Sequence, residues 1–128
     1  MLDHIGFGVF DFARSKAFYE RALAPLGYHV VMQVTPEETG SDAFAGFGDE
    51  RKPYFWIGTG NALKGRLHVA LIAKDRAAVD AFYRAALAAG GTDNGAPGLR
   101  AHYHPNYYGA FVLDPDGHNV EAVCHAPA

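Results

Sequence analysis

Two of the seven histidines in this chain of 128 residues, His4 and His68, stand 64 residues apart, half its length. Laid over itself at that offset, residues 4–27 fall on residues 68–91. Ten pairs are then identical, among them His4/His68, Asp11/Asp75, Phe18/Phe82, Tyr19/Tyr83 and Gly27/Gly91. Unrelated segments of ordinary composition would share roughly one or two. No other histidine pairs in this way. A neutral imidazole is a good ligand for divalent ions near pH 7. A third donor is available late in the chain, where Glu121 is the only acidic residue between 118 and 128. Two imidazoles and one carboxylate form a recurrent set for Fe(II) and other divalent ions, and they leave coordination positions open for chemistry. The same residues have a plainer reading, as two hydrogen-bonded histidines kept through duplication and an exposed strand glutamate.

The elements that must position these groups are set out by the repeat. In residues 3–9, Ile5, Phe7 and Val9 alternate with His4, Gly6 and Gly8. In the second copy Leu67, Val69, Leu71 and Ala73 alternate with His68, Ala70 and Ile72. Strand side chains point to opposite faces in turn, so each strand offers one greasy face to a helix and one histidine-bearing face to open space. A helix comes next in each half. Asp11 and Asp75 are placed to cap its free N–H groups, and Val79, Phe82, Tyr83 and Ala86 have the spacing of a buried stripe. Gly27 and Gly90-Gly91 supply the stop. Three further strands per half are expected near 28–34, 43–48 and 54–58, and near 99–104, 108–113 and 118–124. Asp114-Pro115-Asp116-Gly117 makes a turn between the last two. The reading is an α+β chain of two tandem βαβββ modules, about 1–64 and 65–128, within one domain of residues 1–128. On the last strand Asn119, Glu121 and Val123 share a face, and the two histidines would meet this glutamate across a shared cavity.

Composition excludes several classes. Hydrophobic residues make up 49% and charged residues 20%, ordinary globular usage. A net charge of -3 with scattered basic residues argues against nucleic acid as a partner. The lone Cys124 cannot form an intrachain disulfide, which fits a reducing compartment. The start of the chain lacks the marks of a signal peptide, and no apolar run reaches the ~18 residues that span a bilayer. The expectation is a cytoplasmic protein that meets no membrane.

Beyond the three candidate ligands, residues 102–108 read His-Tyr-His-Pro-Asn-Tyr-Tyr. In an extended strand His102 and His104 share a face and either would serve as a general acid–base. Tyr108 would position or protonate a substrate oxygen. Trp56, Phe55 and Tyr107 are candidates for the pocket wall, and Arg100 for binding a substrate carboxylate. For each, a surface or core role is equally compatible. His29, His118 and His125 read as exposed or turn residues.

The segments LDHIGFGVFDFARSKAFYERALAPLG, LHVALIA and YYGAFVLDPDGHNVEAV resemble the vicinal-oxygen-chelate superfamily, which includes glyoxalase I, bleomycin-resistance proteins, extradiol dioxygenases and fosfomycin-resistance enzymes. The resemblance spans nearly the whole chain. It implies paired βαβββ modules forming a curved half-barrel sheet with helices on the convex side. It also implies a divalent ion (Fe, Mn, Ni or Zn) on His4, His68 and Glu121. At offset 64 the residue matching Glu121 is Ile57, which cannot ligate, so the pattern departs from four-ligand glyoxalase I. The resemblance thus implies a metal-dependent enzyme acting on a small oxygen-bearing substrate by bidentate chelation, as a lyase, isomerase, dioxygenase or thiol transferase, with Glu121 at the reacting centre. The alternative is a metal-free protein that sequesters a small molecule in an aromatic-lined groove. Exposed sheet edges and apolar helix surface point to a homodimer.

Overall fold

A computed structural model describes all residues 1–128. The first half runs β1 (Ile5–Gly8), α1 (Phe12–Leu23), a 3-10 turn (Ala24–Leu26), β2 (His29–Val34), a short α2 (Pro36–Thr39), β3 (Phe44–Gly48) and β4 (Pro53–Gly58). The second half runs β5 (His68–Ile72), α3 (Arg76–Ala88), β6 (Thr92–Leu99), β7 (Tyr108–Leu113) and β8 (Asn119–Cys124). Each half makes its own open four-stranded sheet. The orders are β1-β4-β3-β2 and β5-β8-β7-β6, so the two halves have one topology. In both, the first strand is parallel to the last and the remaining pairings are antiparallel.

Local chemistry explains the helices. The Asp11 carboxylate accepts from Arg14 N at 3.1 Å and that of Asp75 from Ala78 N at 2.8 Å, each filling an orphan donor of the first turn. Gly27 and Gly90 adopt positive φ at the helix ends, where a side chain would be strained. Phe18, Tyr19, Ala22 and Leu23 of α1 and Val79, Phe82 and Ala86 of α3 are buried. They join Phe47, Phe55, Ile57, Val112 and Val120 of the two sheets in a single apolar cluster. The helices α1 and α3 also pack on each other, so both sheets cover one shared helical layer and turn their other faces outward.

Two further links cross between the halves at the Asp114–Gly117 turn. The Tyr19 hydroxyl donates to Asp114 Oδ2 at 2.5 Å, and Phe10 N donates to Asp116 Oδ2 at 3.1 Å. Asp114 Oδ1 also accepts from the backbone N–H groups of Asp116 and His118, which holds the turn closed. No helix is long and apolar enough to cross a membrane.

Three sequence expectations need correction. The strand sought near 99–104 is β6, at Thr92–Leu99, and residues 101–103 form a turn. The segment Thr-Asp-Asn-Gly-Ala-Pro-Gly-Leu reads as a loop, but β6 is an outer strand, and a sheet edge tolerates Pro97 and the irregular register around Gly95. His118 is buried rather than exposed. Its Nδ1 accepts from Leu67 N at 3.0 Å, and its ring stands perpendicular to Phe7. The third correction concerns the counterpart of Glu121. Gly6 pairs with Trp56, and Ala70, its repeat equivalent, pairs with Glu121. The residue matching Glu121 is therefore Trp56 and not Ile57. The segments between helix and last strand differ in length by one residue, so a fixed offset slips there. A slip of one residue reverses the face, and Ile57 lies in the core.

Candidate functional site

The outward face of the second sheet carries the charged groups. On β8, Glu121 alternates with the core residues Val120 and Ala122 and so points away from α3. The neighbouring strand β5 starts at His68, whose Nε2 lies 2.9 Å from Glu121 Oε1. The other carboxylate oxygen, Oε2, accepts from the Tyr107 hydroxyl. Glu121 is only 1% exposed, whereas the His68 side chain is 56% exposed, so a fully engaged carboxylate sits beneath a reachable imidazole. Burial and the bond to Glu121 push the Tyr107 phenol well above its ordinary range, which keeps it a neutral donor. Gly109 gives this array room, since a Cβ there would lie 3.1 Å from the Tyr107 ring and 3.3 Å from Glu121 Oε2 and press on both. Arg100 lies over the Phe111 ring, 5.4 Å from its centre, and donates to Ala96 O. Phe111 is the cross-strand partner of Glu121, and the His68 ring lies 6.4 Å from it, centre to centre.

His4 belongs to the other sheet. It is exposed, its Nδ1 bonds Asp3 Oδ1 at 2.7 Å, and Asp3 also pairs with Lys52. Lys52 and His4 together hold the Asp3 carboxyl below its ordinary range. His4 borders a cavity of ≈830 Å³ over the first sheet, whose lining residues all fall between 4 and 61. Within one chain, no three His, Cys, Asp or Glu side chains come together as a set able to hold an ion. The expected convergence of His4 with His68 and Glu121 is thus absent inside a single chain. The cause is the helical layer, which seats the two sheets with their open faces apart.

The donor chemistry of the remaining pair does suit an ion. His68 Nε2 and Glu121 Oε1 are in hydrogen-bond contact at 2.9 Å, and an imidazole nitrogen and a carboxylate oxygen brought together in this way are donors that divalent ions take. Tyr107 supplies the second hydrogen bond that orients a ligating carboxylate. His68 and Glu121 therefore fit as half of a metal site that needs a further ligand.

The other candidates separate clearly. Trp56 lines the cavity of the first sheet, while Phe55 is a core residue. Tyr108 points to the helical side, where its hydroxyl donates to Asp80 Oδ1 at 2.7 Å and Arg76 covers its ring. That inward position, one residue on from Tyr107, removes it from the open face. His102 and His104 lie in the exposed turn instead of a strand, so no common strand face joins them. His104 packs against His125, which in turn packs against Tyr107. The dual engagement of Glu121 was not legible in the sequence. Gly109, two residues after Tyr107, was the available sign that something close-fitting lies there.

Comparison with known proteins agrees with this architecture. A family model described as the Glyoxalase/Bleomycin resistance protein/Dioxygenase superfamily matches residues 1–122. A glyoxalase/bleomycin resistance protein from Albidiferax ferrireducens T118 is 30% identical, with a TM-score of 0.70 over 97% of this chain and 98% of that one. Glyoxalase I from Zea mays is 26% identical, with a TM-score of 0.67 over 96% of this chain but 45% of the maize protein. The fosfomycin resistance protein FosX from Listeria monocytogenes, solved with Mn(II) and sulfate, shares the fold at 18% identity and a TM-score of 0.68, over 97% of this chain and 91% of that one. No curated protein matches the chain.

Proposed function

Because this chain belongs to the glyoxalase/bleomycin resistance protein/dioxygenase superfamily, we propose that it is a metal-dependent enzyme acting on a small molecule through two neighbouring oxygens, with each active site shared between two copies. The observation that carries the reading is the His68–Glu121–Tyr107 array, a two-donor half-site with its outer hydrogen bond already in place. His4 of a second copy is the third ligand. It stands beside the other uncovered face, and both β1 and β5 are edge strands that association would cover, although residues 62–63 already bridge the Gly8 end of β1.

A divalent ion held by His68 and Glu121 together with His4 of the second copy would supply Lewis-acid chemistry to the substrate oxygens. The remaining work falls to the chain itself. Tyr107 fixes the rotation of the Glu121 carboxylate, and burial keeps water from competing for it. His68 leaves one side of its ring open toward the substrate. Arg100, braced on Phe111, presents a positive charge to an anionic oxygen of the substrate at the same face.

Complementation tests the shared site. Purified His4→Ala and Glu121→Ala proteins should each be free of metal. Co-expressed, they form mixed dimers with one site doubly altered and one intact. Random pairing then restores about a quarter of the wild-type metal. A mixture that stays metal-free would reject the shared site, and full metal content in Glu121→Ala alone would reject the ligand assignment.

A further inference from the structure

Four buried side-chain polar atoms have no hydrogen-bond partner, and each such atom costs stability and calls for a reason. Ser15 Oγ and Arg76 Nε belong to helices, and His118 stands against Phe7 on the core side. The fourth, Asn119 Oδ1, is different. Asn119 lies two residues before Glu121 on β8, so both side chains point to the open face. It is also the register partner of His68 across the parallel pair of β5 and β8. Asn119 N donates to Leu67 O at 2.9 Å and fixes that register. Neighbouring strands run about 4.8 Å apart, and residues in register share a face, so the amide and the imidazole stand side by side.

His68 has an unpartnered ring nitrogen of its own. Its Nε2 meets Glu121 Oε1 at 2.9 Å, and its Nδ1 makes no hydrogen bond. An ionised carboxylate can only accept, so in the neutral ring the proton is on Nε2 and Nδ1 is a bare acceptor. Two acceptors, Nδ1 and Asn119 Oδ1, are therefore neighbours, and neither can satisfy the other. Ligation reverses this. Nε2 can bind an ion only after it has given up its proton, and the neutral ring then carries a proton on Nδ1. The new donor has the amide oxygen of Asn119 beside it.

We propose that Asn119 is a positioning residue for His68, its Oδ1 accepting from Nδ1–H when Nε2 is engaged by an ion. The exchange balances, since Nε2 loses one proton to water, Nδ1 gains one from water, and the ring stays neutral. The amide oxygen that is orphaned in the metal-free chain thus finds its partner in the loaded one. An acceptor on the second ring nitrogen fixes the tautomer and orientation of a ligating histidine. The inference deepens the metal-dependent reading and rests on it for the ion.

Zn(II) serves as the probe ion for the full-length protein, with affinity read by competition against a chromophoric chelator. Asn119→Leu should weaken Zn(II) binding about tenfold. Its urea midpoint in EDTA should stay level or rise, because the metal-free chain loses no hydrogen bond. Asn119→Asp keeps an acceptor and should bind Zn(II) at least as tightly as the wild type. Imidazole nitrogen NMR of the wild type should find the His68 proton on Nε2 in EDTA and on Nδ1 with Zn(II). Unaltered Zn(II) affinity in Asn119→Leu overturns the inference alone and leaves the metal site standing. A Zn(II) loss matched by a lower metal-free urea midpoint overturns it too, as does a Zn(II)-loaded His68 with no proton on Nδ1. The spectra need no variant, so they decide the matter even where Asn119→Leu does not fold. A wild type that takes no Zn(II) defeats the metal site and this inference together.

Discussion

Glu121 shows how one residue is held ready by its neighbours. Both oxygens are engaged and solvent is excluded, so its replacement affects binding and stability differently. Glu121→Gln should abolish metal binding while the fold persists, as checked by metal analysis beside circular dichroism. Tyr107→Phe removes a donor from a buried carboxylate and should cost about 1–3 kcal/mol in urea unfolding. It should also weaken metal binding by about tenfold, as loss of an outer partner does. Tyr19 carries a pH signature. Burial first, then the charge of Asp114, raises its phenol well above its ordinary 10.0. The folded state therefore holds this proton more tightly than the unfolded state does. Its contribution is complete below pH 10.0, the unfolded value, and is lost as pH rises toward the folded value. Unfolding free energy should fall above pH 10 in the wild type and fall less steeply in Tyr19→Phe, read from urea midpoints across the alkaline range.

At the scale of elements, the caps and the glycine beneath Trp56 give separate tests. Asp75→Ala should destabilise by about 1 kcal/mol through loss of the N-cap bond, seen as a lower urea midpoint with an unchanged slope. Gly46→Ala should shift the Trp56 emission, because its Cβ would meet the indole and Pro53. Helices and most strands were legible because their signals are local. Asp11 and Asp75 cap, apolar residues recur at helical spacing, and β1 and β5 alternate. β6 was illegible because an edge strand with glycine and proline has the composition of a loop. The Trp56–Glu121 correspondence was misjudged for a different reason, since register is set by pairing between strands and a constant offset carries no information about it.

For the whole molecule, a single chain carries both open faces, and the proposed shared site requires that assembly bring the two together. The candidate ligands were identifiable as residue types, but their failure to meet was not, because it depends on which faces the shared helical layer leaves open. A dimer should appear by sedimentation at micromolar concentration, with a thermal midpoint that rises with protein concentration. The Tyr19–Asp114 and Phe10–Asp116 bonds have a consequence of their own for how the chain comes apart. An excised half would expose its flank of the common helical layer and leave a phenol or a carboxylate stranded. Although the two halves repeat one topology, they share a single apolar core, and neither should fold alone. Denaturation should proceed as one cooperative event rather than two, and amide exchange in the slowest-exchanging strands of both sheets should report the same global opening energy.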